Sequence, residues 1–187
     1  LLEKALRAVA NVQLAVANDL TDTGAAFDFI VLDGVIPTAW PKGNVLAFRT
    51  VNTNWVESVA AVEAPVIVDW KSTHPLLRYA GFDNVQIVQS LTARAPTWAV
   101  SILEEQQAPL ILAGDLGRQR IVWVGLDPLE SNWPLRVSFP IFIANAVEWL
   151  NPANAKNSQL LVKAGAPFRL AVTEPVKTAE VKLPDGK

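Results

Sequence analysis

Residues 27–34 read Phe27-Asp28-Phe29-Ile30-Val31-Leu32-Asp33-Gly34, a short apolar run closed by a polar turn. Nearly continuous apolar character, in place of strict alternation, is the pattern of a strand covered on both faces, as in the central sheet of an α/β protein. Working outward, Val45–Phe48, Val66–Val68 and Val85–Val88 are further short strand candidates, separated by Pro, Gly and Asn turns. Towards the amino end, Leu1, Leu2, Ala5, Leu6 and Val9 recur at helical spacing, with Glu3, Lys4 and Arg7 on the other side, so an amphipathic helix opens the chain. The alternation in Val12–Ala17 predicts a strand after it.

Towards the carboxyl end the pattern becomes one of antiparallel hairpins. Trp98–Leu103, Pro109–Ala113 and Ile121–Leu126 are strand-like, and Gly114-Asp115-Leu116-Gly117-Arg118 lies between the last two at hairpin spacing. The clearest helix is Phe139–Leu150, with Ser138 as its cap, Pro140 in the first turn, and Phe142, Ala146 and Trp149 on one face. Asn151-Pro152 ends it. The fold class read here is α/β, a sheet that changes into antiparallel hairpins. The expected organisation is an α/β domain over residues 1–152 and a β-rich segment over 153–187. That segment holds LLV, FRLAV and AEVKL, which either dock on the main sheet or, the favoured reading, start a truncated β-sandwich module.

Composition limits the chemistry. Of 187 residues, 51% are hydrophobic and 18% charged, enough apolar material for a substantial core. Sixteen basic against 18 acidic residues give a net charge of -2, which argues against a broad nucleic-acid or anionic-lipid footprint. The absence of cysteine removes a disulfide framework, a thiolate nucleophile and thiolate-held metals. No apolar run reaches the roughly 18 residues of a membrane span. The chain starts without Met and contains none, so it is expected to be a domain of something longer.

His74 is the sole histidine, which excludes a two-histidine metal site within the chain. Preceding Pro75, it belongs in an extended turn, and its first reading is a hydrogen-bonded structural residue. Catalysis would need it to meet a hydroxyl and an acid, with Ser72, Ser131, Asp69 and Asp127 as the available groups. Asp33, Asp69, Asp115 and Asp127 each lie near the end of an apolar run, where open α/β sheets expose their crevice, although turn hydrogen bonds explain such aspartates equally well. Neither a Gly-rich phosphate loop nor an EF-hand series occurs. Seven tryptophans, Trp40, Trp55, Trp70, Trp98, Trp123, Trp133 and Trp149, are first of all core material. Trp133, in a long Pro-bearing connection, is the best interface candidate among them.

Several motifs carry a resemblance: Phe27–Gly34, Pro41-Lys42-Gly43-Asn44, His74-Pro75-Leu76-Leu77-Arg78, Gly125-Leu126-Asp127, Ser131-Asn132-Trp133-Pro134-Leu135, Phe139-Pro140, Asn145 and Trp149-Leu150. Over residues 1–152 the chain resembles the glutamine amidotransferase-like region of bacterial membrane-anchored proteins related to the aerotolerance-associated, von Willebrand factor A containing family. The resemblance implies a flavodoxin-like class I amidotransferase fold, incomplete here because its first strand is missing. It also implies a parent protein anchored in a membrane. Active amidotransferases use a Cys nucleophile, which this chain lacks, and His74 matches a family His-Pro motif rather than a catalytic histidine. The Asp-x-Ser-x-Ser metal motif of the von Willebrand factor A domain is absent as well. The expectation is a noncatalytic scaffold whose partner is another protein or a flanking domain, with no catalytic, cofactor-binding or metal-binding residue. A Ser/Asp/His hydrolase or transferase is the first alternative. A small-ligand or carbohydrate-binding domain is the second, favoured where tryptophans line a groove.

Overall fold

A computed structural model describes residues 1–106 and 108–153. A six-residue helix, α1 (Leu2–Arg7), is followed after a long connection by β1 (Phe29–Asp33) and β2 (Asn44–Phe48). Then come β3 (Glu57–Glu63), β4 (Ile67–Trp70), β5 (Gln89–Arg94), β6 (Ala99–Glu105), β7 (Pro109–Leu116), β8 (Gln119–Val124) and the long helix α2 (Ser138–Leu150). Short 3-10 turns occupy Pro75–Leu77, Pro128–Glu130 and Trp133–Leu135.

Six strands form the main sheet in the order β1-β2-β8-β7-β6-β4, and β3 pairs with β5 in a separate two-stranded antiparallel sheet. One half of the main sheet is parallel: β1 with β2, and β2 with β8. The other half, β8-β7-β6-β4, is antiparallel throughout. The period-two geometry of a strand divides the core accordingly. Leu46, Phe48, Ile111, Ala113, Val122 and Val124 face α1 and α2, and meet Phe142, Ile143, Ala146 and Leu150. Their neighbours Val45, Ala47, Leu112, Ile121 and Trp123 face the opposite side, with Trp55, Val56 and Ala93. Burial on both faces is why β2 and β8 read as unbroken apolar runs.

The expected hairpin forms between β7 and β8, with Asp115 opposite Arg120 and Leu116 opposite Gln119. Gly117 supplies the positive φ, 64°, that its two-residue turn takes at the first position. The described residues thus form a mixed α/β fold. Four details of the sequence reading are corrected. Residues 12–17 join no ladder, although Val12 and Leu14 alternate inwards onto the helix-side core. The strand expected at 85–88 begins at Gln89, leaving only an isolated bridge at Ile87. β3 had no apolar signature, because most of its residues are exposed and it bulges around Ser58, whose φ is 51°. Ser138 does not cap α2: Val137 is the capping residue, and the Ser138 hydroxyl is buried without a partner. The β-rich segment expected over 153–187 lies, beyond Ala153, outside the described residues.

Candidate functional site

Strand direction decides which polar residues meet. β1, β2 and β8 run the same way, so the residues after Leu32, Phe48 and Val124 gather at one end of the sheet, the crevice position of an open α/β fold. Asp33 and Asp127 are there. Asp115, opposite Arg120, lies at the far end; Asp69 pairs with Glu104 near the crevice end, but on the outer strand β4, separated from β8 by β6 and β7. The four strand-end aspartates therefore do not form one pocket.

At the crevice end, Gly34 and Arg49 both have left-handed backbone, with φ of 64° and 48°. The Gly34 amide donates to the Phe48 carbonyl at 2.8 Å, and the Arg49 amide donates to the Val124 carbonyl at 2.8 Å, so the three strand ends are tied together. Thr50, buried beside them, donates its hydroxyl to the Phe48 carbonyl, and its backbone carbonyl accepts from the Trp123 indole at 3.0 Å. The Arg49 guanidinium pairs with Oδ2 of Asp127, whose Oδ1 accepts the Leu129 amide at 2.8 Å and so caps the following turn. Sequence reasoning passed over Arg49. Left-handed backbone at an arginine has no residue-type signal, since Gly and Asn are the usual occupants.

Asp33 completes this group. Its carboxyl is held above the usual carboxylate range, first by desolvation at the strand ends and next by the Asp127 charge, opposed by the chain's amino terminus. Among the described residues it makes neither a side-chain hydrogen bond nor an ion pair. The group thus offers Asp127 paired with Arg49 and, within electrostatic reach of Asp127, the unpaired Asp33, without a hydroxyl or thiol nucleophile joined to a base.

His74 has the structural role. Its Nδ1 accepts the Leu76 amide at 3.2 Å, capping the turn that Pro75 starts, and its ring lies 5.8 Å from that of Trp149. Burial, and then the Lys71 charge, hold its pKa below the usual imidazole range. Ser72 is exposed, Asp69 accepts the amide of its neighbour Trp70 on the outer strand β4, and Asp127 and Ser131 follow β8, from which β6 and β7 separate β4. No triad joins them. A cavity of about 280 Å³ is lined by Asp69, Trp70, Lys71, Ser101, Ile102 and Glu104, without His74. Another of about 540 Å³ lies between residues 64–67 and 82–87, and Trp70 is its only tryptophan. Trp133 is fully buried against Phe82, Phe139 and Phe142, so the best interface candidate among the tryptophans packs in the core, the reading favoured for it.

The polar motif residues serve the backbone. Asn44 donates to the Leu150 carbonyl at 2.6 Å and accepts the Arg120 amide, while Arg120 donates to the Trp149 carbonyl, so the end of α2 is satisfied by β2 and β8. Asn145 donates to the carbonyls of Leu76 and Arg78, and Asn132 bonds the backbone of Asn84 and Gln86. Asp115 pairs with Arg120 at 3.2 Å. Among the described residues no group of three or more His, Asp or Glu side chains is placed to hold a metal, and no helix is long and apolar enough to cross a membrane.

No protein-family model matches this chain, and no curated protein matches it. Among solved structures it is similar to cytoplasmic protein STM1381 from Salmonella typhimurium LT2, with a TM-score of 0.59 at 14% identity, over 80% of this chain and 86% of that one. That likeness is one of fold. Cytoplasmic protein STM3548 from Salmonella typhimurium aligns at a TM-score of 0.46 and 16% identity, over 57% of this chain and 55% of that one.

Proposed function

We propose that this chain is a noncatalytic protein-interaction domain of a larger, membrane-anchored bacterial protein, on the glutamine amidotransferase-like, flavodoxin-like plan its sequence resembles. The observation that carries the reading is Arg49. A nucleophile elbow presents its reactive atom from a strained turn at the end of a strand. At the strand end where this chain holds left-handed backbone, the side chain presented is a guanidinium, already bound by Asp127. With no cysteine in the sequence, a Cys-dependent glutamine amidotransferase mechanism is implausible. Membrane anchorage of the parent rests on the sequence resemblance alone.

The test is turnover. Incubated with glutamine, or with an activated ester as a general acyl donor, the protein is expected to release ammonia or alcohol no faster than buffer. Release above that background, abolished by Arg49→Ala or Asp127→Asn, overturns the reading.

A further inference from the structure

The crevice end of the main sheet carries more than its charged trio. Val35 and Ile36, directly after β1, are 38% and 77% exposed, and Leu129, Leu135 and Val137, between β8 and α2, are 78%, 87% and 76% exposed. The parallel strands place these connections at the same end by construction. α2 starts there and returns to the far end, where Leu150 meets Asn44. Large aliphatic side chains gathered on loops at one end of a fold mark an interaction surface, whereas the same residues scattered singly need no explanation.

Charge at this end tells what covers it. The Arg49 guanidinium is occupied by Asp127, and the exposed side chains of Glu130 and Arg136 offset each other in sign. Asp33 has no cation in ion-pair range among the described residues, the amino terminus acting on it only from beyond that range. A wholly apolar segment laid across it would bury a carboxylate without compensation, and an acidic one would add repulsion; both are unfavourable.

We propose that this surface docks an aliphatic segment of a partner protein that carries a lysine or arginine, the cation pairing with Asp33 and the flanking aliphatic side chains covering Ile36, Leu129, Leu135 and Val137. The inference rests on reading the chain as an interaction domain and names what that domain takes. Asp33 supplies selectivity for the sign of charge, and the aliphatic rim supplies area.

The probe is a blocked peptide, Gly-Ser-Leu-Val-Lys-Val-Leu-Ser-Gly, titrated into the 15N-labelled chain beside its glutamate analogue. Amide shifts are expected at Asp33, Gly34, Val35, Ile36, Leu129, Leu135 and Val137. The lysine peptide should bind about tenfold more tightly than the glutamate peptide, or roughly 1.4 kcal/mol. Asp33→Asn should remove that preference while leaving the rest of the spectrum folded, and Ile36→Ser with Leu135→Ser should weaken both peptides. Equal affinities, a preference that survives Asp33→Asn, shifts confined to another surface, or no binding at millimolar peptide would each overturn the proposal. Mass spectrometry of the recovered peptide separates the two readings: a cleaved peptide overturns the noncatalytic assignment, whereas an intact, unbound one overturns the docking surface alone.

Discussion

Asp33 and His74 depart from their ordinary pKa values in opposite directions for one reason, that partial burial penalises the charged form of each. Asp33 is raised, so the native state holds its proton more tightly than the unfolded chain. Its stabilising effect is complete below the ordinary carboxylate pKa and is lost as pH rises through its folded value. Asp33→Asn should therefore stabilise the protein at pH 7, and the gain should vanish on acidification below the usual carboxylate range; urea midpoints across pH read this. His74 is lowered, so its contribution is present above the usual imidazole pKa and is lost as pH falls through the folded value. A His74→Asn variant should flatten that part of the profile. At Arg49, alanine removes the ion pair and keeps the left-handed strain, whereas glycine removes both. The strain of ~1–2 kcal/mol exceeds glycine's entropy cost of ~0.5–1, so Arg49→Gly should be the more stable variant by about 0.5–1 kcal/mol in denaturant unfolding. None of this was legible at Arg49 itself, because tertiary hydrogen bonds to Val124, and not residue type, set its backbone.

Elements whose sequence matches their surroundings were the legible ones. β2, β7 and β8 are apolar because both faces are covered, the β7–β8 turn has its glycine, and α2 has a buried face with Pro140 in its first turn. β3 escaped because an exposed, bulged strand needs no apolar alternation. Residues 12–17 misled in the other direction: inward-facing Val12 and Leu14 satisfy the period of a strand without a partner to pair with. The strand-end aspartates failed as a set because a sequence reports where a strand stops, not which way it runs, which removes Asp115, nor which strand lies beside it, which removes Asp69. The end of α2 was legible only as Asn151-Pro152, while its carbonyls are satisfied from Asn44 and Arg120, far away in the chain. Asn44→Ala should cost about 1–3 kcal/mol, since the Leu150 carbonyl and the Arg120 amide both lose their partner. Thermal unfolding with helix content as the readout checks it.

For the molecule as a whole, the motifs that carry the family resemblance turn out to be largely architectural: Asn44, Asn132 and Asn145 bind backbone, and Trp133 fills the centre of the helix-side core. Trp133→Ala should cost about 3–5 kcal/mol, with loss of cooperative unfolding if the aromatic cluster collapses, as calorimetry would show. The division of the main sheet into a parallel and an antiparallel half also sets an order in time. The β6-β7-β8 meander joins neighbours in the chain, whereas Val45 must find Ile121 before β2 and β1 can add to it. Closing that long loop slows folding, because its entropy is lost before any pairing compensates. Pulse-labelled hydrogen exchange should then find Leu112 and Val122 protected early, and Val31 and Leu46 late, so that the charged crevice, which needs all three parallel strands, is the last part of the protein to exist.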